Sequence, residues 1–190
     1  MSVLGWRLRT VATAPAACSL LVVVAACGDD GEAAVDGTTT STSDTTIAST
    51  TTTQNPEAEV EAAYLAYWEM AKRLSENPDP HDPELAERAT GTNLDQVVDN
   101  LTTLQAQGRA IRFGRLYRHE VQSVELTGTT ALVRDCSVDD AATINANTGR
   151  DVSASVTTAL LEASLALEDG SWRVGSIQRL DAWNGVTECS

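Results

Sequence analysis

The stretch "DVSASVTTALLEASLALEDGSWRV", residues 151–174, decides the fold. It alternates small or polar with apolar residues at a period of two, the signature of a half-buried strand. The inward set changes parity partway. Val152, Ala154 and Val156 share one face, whereas Leu161, Leu165 and Leu167 fall on the other. A bulge near Thr158–Leu160 would reconcile the two and bend the strand. Asp169-Gly170 then marks a tight turn into a further strand, "SWRVGSIQRL", with Trp172 facing the core.

Upstream, "RLYRHEVQSVEL" and "TALVRDCSV" flank the turn "TGT" and form another hairpin. Before these strands the period becomes helical. "NPEAEVEAAYLAYWEMAKRLSEN" places Val60, Tyr64, Tyr67, Trp68, Ala71 and Leu74 on one face. Asn55 supplies an N-cap and Pro56 a first-turn proline. The prolines of "NPDPHDPELAERATG" end that helix and leave room for one short turn around Glu84–Ala89. "TNLDQVVDNLTTLQAQG" puts Leu94, Val97, Val98, Leu101 and Leu104 on one face, with Thr92 and Asp95 as a capping box and Gly108 as the stop. Helices followed by an antiparallel meander make the domain α+β, with N-terminal helices on a curved sheet.

The motifs "AYLAYWEM", "NPDPHDPELAERATG", "VRDCSVDD" and "DGSWRV" resemble those of NTF2-like (cystatin-like cone) domains in secreted or lipid-anchored actinobacterial proteins, most of them uncharacterised. The resemblance spans residues 57–190 and implies a cone whose interior is lined or plugged by the aromatics of the first helix. It names no reaction. Some enzymes of this fold class use a carboxylate and tyrosines inside the cone for acid–base work on small apolar molecules. The residues of matching type here are Asp135, Tyr117, His119, Tyr64 and Tyr67. Strand parity puts Tyr117, His119 and Val121 on one face and Val133 with Asp135 on another, so one cavity could receive them; Asp135 could equally face outward.

The N-terminus carries an address. Arg7 and Arg9 precede a short apolar run, too short to span a bilayer. Its end, Val24-Ala25-Ala26-Cys27, resembles the lipobox of bacterial lipoproteins. That resemblance implies cleavage after residue 26, lipid on the Cys27 thiol, palmitate among the acyl chains, and anchoring to the outer face of the cell membrane. The first 26 residues are then a signal peptide, and Cys18 within them has no role. Residues 27–56 follow as a tether. Between 28 and 56 there are ten threonines and five acids, a composition that resists ordering. As a flexible chain it would reach roughly 30 Å.

The domain proper holds 22 acids against 11 Lys and Arg. So acidic a surface disfavours nucleic acid and anionic lipid. Arg109, Arg112, Arg115 and Arg118 form no continuous basic stripe and are read as local neutralisation. Outside the cytosol, Cys136 and Cys189 form a disulfide, since neither has a histidine nearby to share a metal. Asp79, His81, Asp82 and Glu84 lack zinc spacing, and no metal or cofactor is expected. Phosphate loops, nucleophile elbows and dinucleotide fingerprints are absent from the sequence. The expectation is a lipid-anchored envelope protein with a non-catalytic binding or interaction domain. Its occupants would be a small hydrophobic ligand, a second copy of the chain, or another envelope protein. The competing expectation is an isomerase or hydrolase using Asp135.

Overall fold

The computed structural model describes residues 55–189; the signal, Cys27 and nearly all of the tether lie outside them. Helix α1 runs from Pro56 to Glu76. The Asn55 side chain accepts a hydrogen bond from the Glu57 N–H at 3.2 Å, and Pro56 opens the first turn. Val60, Tyr64, Tyr67, Met70 and Leu74 form its buried stripe. Five-residue α2, Glu84–Arg88, follows the proline loop.

Helix α3, Gly91–Ala106, departs from the sequence reading at its start. Its N-cap is Thr90, and no capping box forms at Thr92. The cause is a long-range pairing: Ala89 bridges Val174, and the Thr90 N–H donates to the Val174 carbonyl at 3.0 Å. Gly91, at φ 55°, then turns the chain into the helix, a conformation that glycine adopts without steric cost. That leaves the Thr92 hydroxyl to donate to the Gly175 carbonyl.

Seven strands follow: β1 Arg109–Arg112, β2 Arg118–Thr127, β3 Thr130–Asp139, β4 Ala142–Asn145, β5 Asp151–Ala154, β6 Thr157–Glu168 and β7 Ser171–Asn184. They form two antiparallel sheets, a curved four-stranded meander β2-β3-β6-β7 and a smaller β1-β4-β5. The hairpin at Asp169-Gly170 has both residues at positive φ, as its type demands.

The parity change at 151–168 has a different origin from the expected bulge. The chain breaks at Ser155-Val156 and changes sheets, so β5 pairs β4 while β6 pairs β3 in unbroken register. Irregularities do lie along the β6–β7 pairing, where β7 carries the extra residues Gly175 and Leu180. The arginine run is likewise split between β1 and β2. Arg112 pairs with Asp151 and Arg118 with Glu120, whereas Arg109 and Arg115 make no ion pair among the described residues.

Inward residues of the large sheet, among them Val133, Ala163, Leu165 and Val174, join the α1 stripe and Leu101 of α3 in one core cluster. Each fully buried aliphatic side chain contributes about 1.5–3 kcal/mol. On the opposite face of the sheet the last residues of the chain are tied down. Cys136 and Cys189 are joined by a disulfide, and the Thr158 hydroxyl donates to the Gly185 carbonyl and accepts from the Thr187 N–H. Cys189→Ser should lower the unfolding free energy by about 2–4 kcal/mol, since it frees a long loop in the unfolded chain. Urea titration with and without reductant checks this: reductant should destabilise the native chain and leave the variant unmoved.

Candidate functional site

Four of the five sequence candidates meet inside the domain. The alternation of β3 turns Asp135 inward, where it is fully buried at 0% exposure. Asp135 stands opposite Val121 in the β2–β3 ladder, and the bulge at Gln122 follows directly. His119, two residues earlier on the same face of β2, brings Nδ1 to 2.5 Å from Asp135 Oδ2. From α1, the Tyr64 hydroxyl donates to the same oxygen at 3.0 Å. Tyr117 completes the chain, its hydroxyl 3.1 Å from His119 Nε2.

The donor inventory sets the direction of this chain. An ionised Asp135 accepts only, so His119 Nδ1 carries the proton that it donates to Oδ2. A neutral ring so oriented would accept at Nε2 from the Tyr117 hydroxyl, and an imidazolium would donate to it. In the neutral form the result is a relay from Tyr117 through His119 to Asp135, with Tyr64 as a second donor. Asp135 Oδ1 has no hydrogen-bond partner among the described residues.

Aromatic rings close around the imidazole. Trp68 stacks on His119 with centroids 4.1 Å apart and planes 17° apart. Tyr64 and Tyr117 meet the same ring edge-on at 6.2 and 5.2 Å. Phe113 packs on Tyr117 at 4.5 Å, and the Lys72 ammonium lies 5.6 Å from the centre of the Tyr117 ring. Only 6% of the His119 side chain remains accessible.

The segment carrying Phe113 and Tyr117 joins β1 to β2 and is held by one carboxylate. The N–H groups of Gly114 and Leu116 donate to Asp140 Oδ1 and Oδ2 at 3.0 and 2.8 Å. A Cβ at residue 114 would overlap that carboxylate, which explains the glycine.

Burial sets the acidity of the tyrosines. It raises the Tyr64 hydroxyl far above the ordinary tyrosine value, reinforced by the charge of Asp135. The Trp68 N–H opposes that shift, although it falls outside hydrogen-bond geometry. Burial likewise raises Tyr117, with Asp139, Glu69 and Asp135 adding to it. Tyr67, the fifth candidate, stands apart from the relay. Its hydroxyl donates to Asn93 Oδ1 at 3.2 Å, and burial pushes it up to about 12 against that bond.

Three participants escaped the sequence reading. Asn93 of α3 is buried and bridges Tyr67 to the Val174 carbonyl, although its position on the polar side of "TNLD" gave no signal. The stacking of Trp68 on His119 depends on a helix–strand contact that no local pattern encodes. Phe113 stood within the arginine run and was masked by it. Asp82 of the proline loop and Glu84 at the start of α2 pair with Arg73, and the Asp79 carboxylate accepts from the His81 backbone N–H. No group of three or more metal-ligating side chains converges among the described residues. No helix among them is long and apolar enough to cross a membrane.

No family model matches the chain, and no curated protein matches it. Solved structures do. The intermembrane-space region of the chloroplast protein ARC6 is similar at a TM-score of 0.56 and 21% identity, over 65% of this chain and 95% of that one. The protein Kfla4162 of Kribbella flavida gives 0.45 at 9% identity, covering 68% of this chain and 96% of its own. An NTF2-like protein with a cystatin-like fold from Novosphingobium aromaticivorans gives 0.40 at 17%, covering 64% and 81%. The first likeness is one of fold alone. The other two fall below the level at which such a comparison carries weight.

Proposed function

We propose that this chain is a bacterial envelope lipoprotein, anchored through Cys27 to the outer face of the cell membrane, whose NTF2-like cone is a non-catalytic binding or interaction module. The lipobox-like Val24-Ala25-Ala26-Cys27 and the threonine-rich segment behind it support the anchor and the tether. The burial of Asp135, the one buried carboxylate among the described residues, supports a non-catalytic interior. Asp135 and Tyr64 have no accessible surface, and Trp68 covers the face of His119. A general base must come within hydrogen-bond reach of the proton it removes, and Asp135 Oδ2 is already engaged by the His119 Nδ1 and the Tyr64 hydroxyl.

One observation favours a second reading, acid–base catalysis on a small carbonyl compound. The Asp135–His119–Tyr117 chain of contacts leads from the buried carboxylate to the half-buried Tyr117, a route by which acid–base function would be carried outward through the imidazole. The experiment has two parts. In cells fed radioactive palmitate, the native chain should take up label and Cys27→Ala should not; label surviving in Cys27→Ala overturns the anchor. In heavy water, a panel of small ketones and esters followed by NMR should show neither α-deuteration nor hydrolysis above the buffer rate. Turnover that disappears in Asp135→Asn would install the catalytic reading instead.

A further inference from the structure

A groove of about 680 Å³ lies between α3 and the segment comprising the proline loop and α2, and none of Asp135, His119, Tyr64 and Tyr117 lines it. Its floor is apolar: buried Leu85, half-buried Leu94 and Val98, and exposed Ala86. Its rim carries Asp82, Asp95 and Asp99 together with His81 and two prolines, and neither lysine nor arginine lines it.

The acids of this region are treated unequally. On the α2 side Asp82 and Glu84 are paired with Arg73, whose hydrogen bond holds the Asp82 carboxyl below the usual carboxylate range. Asp95 and Asp99 on α3 have no ion pair or side-chain hydrogen bond among the described residues. They stand four residues apart on a helix that carries no basic residue, a like-charge spacing that disfavours the helix. Leu94 and Val98 sit beside them at the same spacing. α3 therefore presents an apolar row and an anionic row side by side, each with a step of one helical turn, about 6 Å.

We infer that this groove docks a basic amphipathic helix of a partner protein, with apolar side chains seated over Leu85, Leu94 and Val98 and Lys or Arg one turn apart against Asp95 and Asp99. The inference rests on the binding-module reading and gives that module its surface. A helical occupant fits because Leu94 and Val98, like Asp95 and Asp99, stand one turn apart and so match the step of a facing helix. A cationic one fits because two uncompensated carboxylates, Asp95 and Asp99, border an apolar floor.

The test uses the full chain and a fluorescein-labelled helical peptide of leucine and lysine rows, read by anisotropy at low ionic strength. A scrambled peptide of the same composition serves as the patterning control. Asp95→Asn combined with Asp99→Asn should weaken binding about fivefold or more. Ala86→Lys, an exposed change that adds bulk and positive charge to the floor, should weaken it at least as much. Glu125→Gln with Asp181→Asn, the same change in net charge on exposed positions of β2 and β7, should leave it unchanged. Equal weakening by that remote pair, or equal binding of the scrambled peptide, would mean diffuse attraction and overturns the groove. Such a failure leaves the binding-module reading intact, because that reading falls only to Asp135-dependent turnover.

Discussion

Carried from about pH 9 to pH 11, the folded chain should show almost no tyrosinate absorbance near 295 nm until it unfolds, and then all of it at once. The chain has three tyrosines, Tyr64, Tyr67 and Tyr117, and each is held above its ordinary value by burial. The unfolded chain releases these protons near pH 10, whereas the folded chain keeps them. Unfolding therefore releases protons in that window, and stability falls as pH rises. The contribution is complete below about pH 10 and is lost as pH climbs through the folded values, the lowest of which is Tyr67 at about 12. The slope is about 1.4 kcal/mol per pH unit for each group, or roughly 3–4 for the three with the partly solvated Tyr117 discounted. Against a domain stability of about 5–15 kcal/mol, that is enough to unfold the protein within two or three pH units. Absorbance and tryptophan emission should change together. A tyrosine titrating near pH 10 with emission unchanged would show that one hydroxyl is open to solvent.

Asp135→Ala should cost about 3–5 kcal/mol, and Asp135→Asn distinctly less. The alanine variant strips the acceptor from both the His119 Nδ1–H and the Tyr64 hydroxyl, leaving two buried donors unpaired in an aromatic cage. Asparagine keeps one acceptor oxygen in the same place. Urea denaturation of the three proteins, compared at equal slopes, separates the two costs. A loss below about 1 kcal/mol in Asp135→Ala would mean that the cage relaxes around the gap and that the carboxylate does not hold the interior together. The alanine variant also bears on the alkaline transition. With the neighbouring charge removed, Tyr64 should ionise at a lower pH than in the native chain.

The sequence was most readable where one residue's role depends on near neighbours. Asn55, Pro56 and the Val60–Tyr64–Tyr67–Leu74 spacing described α1 almost to the residue, and Asp169-Gly170 described its turn. It was least readable where distant elements meet. Thr92 looked like a cap because its partner on β7, Gly175, stands 83 residues away. The parity change at Thr157 looked like a bulge because a strand that bends and a chain that changes sheets reverse side-chain direction alike. The site divided on the same line. Parity could bring Tyr117, His119 and Asp135 toward one interior but left the side of Asp135 open. The Trp68 stack and the buried Asn93 required the α1–β2 and α1–α3 contacts themselves.

The bond between Cys136 and Cys189 turns everything from β3 to the C-terminal tail into a covalent ring. Within it lies the exposed turn Ala146–Arg150, an accessible target for a protease. A cut there opens the ring without dividing the molecule, because both fragments stay linked through the sulfurs. The damaged domain would keep its mass until a reductant reached it. Surface clipping and loss of the domain thereby become separate events.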